Sequence, residues 1–298
     1  MTGKIVVANG MFRSGSTFFF DVMRQSSHHV CFYEPFHPQL NELKDKQHDS
    51  KLGHSIADSP WSEHAQYQDS STYYDYTSRL PLYMRQKMAY YCPLTLSVNA
   101  AHYFHSLEAM SVHLNKTIFA CFNRAAFILP QVKQKERQIQ MIYVYTKRSS
   151  LQIVSSFMRL YSSGQSFNIY SRQFRDPWGI TLLFDHHYTT FSSLHLDLGR
   201  PSVLYSFFAK VCYLNAVTDQ CMKSVADFVL NIGLPLFSYK STCLELLEAS
   251  DGCDALDSVS KYIDIRYRQD VTPTTICRSV FDPLDAELLD SISFSEYT

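Results

Sequence analysis

The sequence predicts an α/β protein in three layers, a central and mostly parallel sheet flanked by helices. Two stretches carry that expectation. In the first, Ile5 to Ala8 read as a short buried strand, Gly10 and Gly15 bracket a turn, and Ser16 onward has helical composition, giving strand, glycine-bearing loop and helix in succession. In the second, Thr117 to Phe122 read as a strand, Ala125 to Arg137 as a helix and Gln140 to Tyr145 as a buried strand, a β-α-β unit. A chain of 298 residues, 46% hydrophobic and 14% aromatic, can bury one large core. We read it as a single domain, 1–298, in which 41–115 is an insertion with helices.

The first loop is the most informative element. A strand-to-helix turn of this kind aims several backbone N–H groups at one point, with the positive end of the helix dipole behind them, so an anion is the expected guest. The spacing Gly10-x4-Gly15-Ser16-Thr17 copies the phosphate loop (P-loop) of nucleotide hydrolases, except that Ser16 stands where the lysine normally does. That lysine reaches the β and γ phosphates of a triphosphate, and its absence argues against ATP or GTP. The nearest cation is Arg13. The expected guest is a nucleotide with fewer charges beyond its 5′ end, held by the loop amides around Gly15, the hydroxyls of Ser14, Ser16 and Thr17, and the Arg13 guanidinium. Phosphosulfate fits that description.

After the first helix, His29 to Tyr33 read as a second strand ending in Glu34-Pro35-Phe36-His37-Pro38. The prolines place Glu34 just past a carboxyl end, where ligands sit in an open parallel sheet. Glu34 reads either as an exposed carboxylate or helix cap, or as a general base; His37 competes for that role because its ordinary pKa lies nearer neutrality. Residues 41–71 read as a long lid-like loop, and Leu82 to Tyr91 as a tyrosine-rich helix whose rings either pack or stack on sugars. Asn99 to Asn115 has helical periodicity. The strand at 140–145 runs into Thr146-Lys147-Arg148, and Leu151 to Tyr161 continue as a helix. Further helices are expected at Trp178–Phe191, Ser202–Val217 and Val225–Ile232, then a late strand at Pro235–Lys240 and a helix at Thr242–Ala249. His186, His187 and His195 lack the spacing of an open metal site and read as surface or core residues.

Formal net charge is −1, so no global field draws the chain to nucleic acid. The eight cysteines are scattered without a CxxC, which favours reduced thiols in a cytoplasmic protein. No apolar run is long enough for a transmembrane segment, and the first strand begins too early to leave room for a signal peptide.

The Arg13-Ser14-Gly15-Ser16-Thr17 stretch after a first strand resembles the 5′-phosphosulfate loop of sulfotransferases that use 3′-phosphoadenosine 5′-phosphosulfate (PAPS), particularly the carbohydrate branch. Tyr33-Glu34-Pro35-Phe36 is similar to the Tyr-Glu-Pro-Leu turn of that branch. The resemblance implies sulfuryl transfer from the co-substrate PAPS to an acceptor hydroxyl, on a carbohydrate or glycolipid, with 3′-phosphoadenosine 5′-phosphate (PAP) as product and no metal required. Glu34 would then be the base and Arg13 would stabilise charge on the leaving phosphate. In cytosolic members a Lys-Thr-His triplet ends the strand matched by Cys121-Phe122-Asn123; the histidine is absent here, which moves the base to Glu34 and leaves Arg124 for an anionic acceptor. The family grips the 3′-phosphate with a cation and a serine eight residues later. Lys147 with Ser155 and Arg148 with Ser156 both have that separation, and the Val154-Ser155 context favours the first. Tyr239 matches the tyrosine of a Tyr-Glu-Asp-Leu element and becomes a nucleotide contact, while Arg266 or Arg268 would stand in for a C-terminal Arg-Lys-Gly loop. Golgi members of animals carry a membrane anchor, so this chain looks like a cytosolic, microbial or viral relative. Two other classes stay open: a phosphate-loop nucleotide kinase, which would need a loop lysine and acidic magnesium ligands, and a non-catalytic nucleotide-binding module of the same fold.

Overall fold

The structure, a computed structural model, describes residues 3–36, 62–67, 72, 96–150, 152–154, 156–157, 180, 184 and 203–267, with the backbone alone at 62, 65 and 203–209. Five strands form one sheet: β1 (Lys4–Gly10), β2 (His29–Tyr33), β3 (Thr117–Phe122), β4 (Gln140–Lys147) and β5 (Phe228–Asn231), in the order β2-β3-β1-β4-β5. Every pairing is parallel. Parallel strands covered on both faces need apolar residues at consecutive positions, and β2 and β3 are buried at every residue.

Alternate residues divide the core in two. Ile5, Val7, Phe32, Ile118, Ala120, Tyr143 and Tyr145 face one apolar layer. That layer contains α3 (Val98–Leu114), α4 (Leu129–Lys135) and the end of α5 (Val203–Lys223). Val6, Ala8, Cys31, Phe119, Cys121 and Val144 face the other, with α1 (Ser16–Met23), α6 (Leu236–Ala249) and α7 (Leu256–Arg266). A short helix, α2 (Ser62–Tyr67), lies against β2 through His64 and Tyr67. This is the three-layer α/β architecture that the sequence predicts. Among the described residues no helix is long and apolar enough to cross a membrane.

Local chemistry explains most boundaries. Helix α3 starts where the Ser97 hydroxyl accepts from the Ala100 N–H at 3.2 Å, a cap worth about 1 kcal/mol. It ends at Asn115, whose φ of 50° turns the chain left-handed. Helix α4 begins at Leu129, later than the periodicity from Ala125 suggests, because Pro130 has no N–H and fits only the first turn. The segment expected as a helix at Val225–Ile232 is instead edge strand β5, and the strand expected at Pro235–Lys240 is the first turn of α6. Asp227 decides the former: its N–H donates to the Tyr143 carbonyl and its carboxylate accepts from the Tyr143 N–H, each at 2.8 Å. The chain is thereby aligned along β4. Pro235 decides the latter by capping a helix with an extended residue, φ −54° and ψ 146°.

Order and layering together locate the cleft. The chain leaves β1 toward α1 on one face, whereas it leaves the neighbouring strand β3 toward α4 on the other. Adjacent strands whose exits diverge in this way open a crevice at their carboxyl ends, the usual ligand position in such sheets.

Candidate functional site at the carboxyl ends of the strands

The loop from Met11 to Gly15 is built by its glycines and by one strained arginine. A Cβ on Gly10 would lie 2.0 Å from the Thr146 hydroxyl and 2.5 Å from the Thr146 carbonyl oxygen, so the loop can press against β4 only with hydrogen at that position. Gly15 has φ 86°, and a Cβ there would meet Ile232 Cδ1 at 1.7 Å. Arg13 is also left-handed, at φ 66°, while Ser14 and Ser16 keep negative φ. Alternating signs turn successive N–H groups toward one side, the geometry of an anion-binding nest. Gly15 is the N-cap of α1 and no side chain caps that end, so the first-turn amides remain available to an outside acceptor.

The hydroxyls divide into two kinds. Ser14 is fully buried and its Oγ shares a 3.0 Å hydrogen bond with Thr146 Oγ1, so it pins the loop to β4. Thr17, half-buried in the first turn of α1, shares a 2.8 Å bond with the Tyr33 phenol. Ser16 is buried beside them, and its carbonyl accepts from Cys121 Sγ at 3.7 Å.

Two arginines and a serine meet at the loop. The Arg13 Nε–H donates to Ser156 Oγ at 3.0 Å, and Arg148 Nη1 donates to the Arg13 carbonyl at 2.6 Å. Arg148 and Ser156 are both buried. Arg148 is anchored from α5, where Asn215 Nδ2 donates to the Arg148 carbonyl at 3.2 Å and to Ser150 Oγ at 3.0 Å. Lys147 is placed differently. Its ammonium pairs with Asp219 of α5 at 3.0 Å, and Asp219 also pairs with Lys223 at 2.5 Å. Burial raises the Asp219 carboxyl, but bonds from Lys223 and Lys147 outweigh it and hold the group below its ordinary value. Of the two cation-serine pairs that the sequence offers, the structure brings Arg148 and Ser156 to Arg13; Ser155 lies outside the described residues.

Glu34 follows β2 in the left-handed region, φ 45°, with its N–H donating to the Cys121 carbonyl at 2.7 Å. Its carboxylate is buried between two donors at the end of β3, Asn123 Nδ2 and Arg124 Nη1. The Arg124 guanidinium also lies over the Phe12 ring, 4.7 Å from its centroid. Thus Arg124, which the resemblance leaves for an anionic acceptor, is engaged with Glu34, as is Asn123, and Arg124 links it to the loop. His37 lies outside the described residues, as do Arg268, the tyrosine-rich 82–91 stretch and the histidines 186, 187 and 195.

Tyr239 belongs to the apolar layer that holds α1, α6 and α7. It is buried in α6, with its ring 5.7 Å from that of Phe18 and 4.9 Å from that of Tyr267. Burial pushes its phenol well above the ordinary range. Arg266 ends α7 in the same layer.

Three residues at strand ends carry roles that the motifs did not reveal: Asn9, Tyr33 and Thr146. Asn9 Oδ1 accepts from the Ala125 N–H at 3.0 Å. Asn9 Nδ2 and Asn123 Oδ1, both buried at the ends of adjacent strands, meet no hydrogen-bond partner among the described residues. The available signal was positional: each is a polar residue closing an otherwise apolar run. No protein-family model matches this sequence, and no characterised protein does.

Proposed function

We propose that this chain is a PAPS-dependent sulfotransferase acting on an acceptor hydroxyl. One observation carries the reading: a lysine-free nest opens an uncapped helix, with Arg148 donating to the Arg13 carbonyl of that loop and Arg13 donating to Ser156 beside it. Such a loop supplies amides and planar donors for an anion of modest charge, whereas a triphosphate asks for an ammonium and magnesium ligands. In this reading the amides of the loop and of Ser16 and Thr17 hold the 5′-phosphosulfate. Arg148 and Ser156 take the 3′-phosphate, a place the notional pair Lys147 and Ser155 would otherwise fill. The orphaned amide atoms of Asn9 and Asn123 support a ligand at this end of the sheet, since a buried polar group left unmet costs about 1–3 kcal/mol.

The reaction balances simply. The acceptor oxygen forms a bond to sulfur as the bond from sulfur to the 5′-phosphate oxygen breaks; the acceptor proton passes to Glu34, and PAP leaves with the negative charge. Asn123 and Arg124 fix the Glu34 carboxylate in direction. The acceptor we propose is a saccharide or glycolipid hydroxyl, supported by the resemblance of the Glu34-Pro35 turn to the carbohydrate branch. A cytoplasmic setting is proposed from the six described cysteines, all of them free thiols. Calorimetry with PAP, followed by transfer of labelled sulfate from PAPS to a panel of sugars, lipids and alcohols, tests the reading. Binding of PAP without any transfer points to a non-catalytic module; preference for ATP with magnesium points to a kinase.

A further inference from the structure

The Tyr33 phenol has no place in the scheme above, yet it is built into the first turn of α1 with care. Its ring reaches from β2 across Cys121, its partner in the β3 register, and packs edge-on against Phe20 with centroids 5.2 Å apart. Its oxygen lies 2.8 Å from Thr17 Oγ1, and the residue is 3% exposed. Thr17 is the second residue of α1, beside N–H groups that no side chain caps. An anion seated there can only accept, so a Thr17 hydroxyl facing it must donate. The Thr17 oxygen then has lone pairs, and no proton, to offer to Tyr33. The phenol must donate.

We infer that Tyr33 is a positioning residue, a buried phenol that donates to Thr17 and thereby turns the Thr17 proton toward the anion at the start of α1. The inference rests on the proposed reading of the loop as an anion site and adds a residue to it. Chains of hydroxyls strengthen each other when every member donates onward. Burial also keeps the phenol protonated: desolvation, with the Glu34 charge behind it, pushes the Tyr33 hydroxyl well above its ordinary range, so it is a donor throughout the functional pH range.

The test is calorimetric, with PAP and adenosine 3′-phosphate as paired probes; only the first carries the 5′ anion. Tyr33→Phe should weaken PAP about 3- to 10-fold, the worth of one neutral hydrogen bond, and leave adenosine 3′-phosphate unchanged. Thr17→Val should weaken PAP similarly, Thr17→Ser should retain affinity, and Tyr33→Phe combined with Thr17→Val should cost no more than Thr17→Val alone. A fold disturbance would weaken both nucleotides together and would leave the two substitutions additive. Unchanged PAP affinity in Tyr33→Phe, or additive losses, overturns the relay while the anion site stands. Failure of the unaltered protein to bind PAP overturns the site and the relay with it. Should Tyr33→Phe not fold, 3-fluorotyrosine at position 33 keeps the shape and strengthens the donor. PAP then binds more tightly if the phenol donates, and an equal or weaker affinity overturns the relay.

Discussion

Replacing Arg148 by glutamine tests the site at its most constrained point. The Arg13 backbone, at φ 66°, pays about 1–2 kcal/mol for a left-handed conformation that a side chain resists. Its carbonyl receives Arg148 Nη1 at 2.6 Å, and a hydrogen bond from a charged donor contributes about 1.5–3 kcal/mol. The bond therefore outweighs the strain, and the loop stays cocked. Glutamine is shorter and neutral, so in Arg148→Gln the strain goes unopposed and the ligand loses a guanidinium. The expected loss of PAP affinity is about 1.5–3 kcal/mol, or roughly 10- to 150-fold in Kd. Arg148→Lys recovers the charge but not the fork, and falls between. Lys147→Ala removes an ammonium already held by Asp219 and costs less than about threefold. Titration calorimetry at fixed ionic strength measures all three. If Lys147→Ala lost more than tenfold while Arg148→Gln bound normally, the 3′-phosphate would belong to β4's last residue and the assignment made from Arg13, Arg148 and Ser156 would be wrong.

Glu34→Gln should keep PAP affinity within about threefold and lower turnover about 10²- to 10⁴-fold, the usual contribution of a positioned base; full turnover in a labelled-sulfate assay removes Glu34 from that role. The same variant leaves the buried Arg124 charge without its counter-charge, and urea unfolding should show a loss of about 1–3 kcal/mol whatever its activity. Gly10→Ala should destabilise by about 2–4 kcal/mol, combining overpacking against Thr146 with loss of the Ser14–Thr146 bond; a change under about 0.5 kcal/mol would show that the loop does not press on β4. Asp254 accepts from Ser26 Oγ, Ser27 N and Ser27 Oγ at 2.6, 2.9 and 2.8 Å. Although burial alone would raise its carboxyl, these bonds take it from an ordinary 3.8 down to about 2. Its contribution is complete above 3.8 and disappears as pH falls toward 2. Thermal midpoints of Asp254→Asn should therefore fall less steeply across that window, and an unchanged slope would place the acid sensitivity elsewhere.

The parts of this fold that were legible in sequence share one property: their local chemistry has no rival. Strands β2 and β3 are uninterrupted apolar runs closed by polar residues or Pro35, too short for helices and fully covered in the structure. The loop announces itself through Gly10 and Gly15. What misled was the Val225–Lys240 region, where a four-residue apolar strand and a proline-led helix carry weak local signals, and where pairing of β5 with β4 settles the matter. The site divides likewise. The meeting of Glu34 with Asn123 and Arg124 joins residues 89 and 90 positions apart. It exists because β3 sits between β1 and β2, an order that no local pattern encodes.

Strand parity accounts for the different places of Lys147 and Arg148. Both stand eight residues before a serine, a separation of just over two helical turns, so spacing cannot separate them. Alternation can. Tyr143 and Tyr145 point into the layer that holds α5, and Lys147, two residues farther, points the same way and finds Asp219. Val144 points toward α1, and Thr146 after it touches the loop through Ser14. Arg148 is the first residue past the strand, released from that alternation, and its long side chain can fold back over the strand end to the Arg13 carbonyl. The residue that leaves the sheet reaches the loop, whereas the one still in the ladder is bound to the face its register dictates. A motif reader comparing side-chain types weighs a cation against a cation; in the folded chain the difference lies in which of them the ladder still holds.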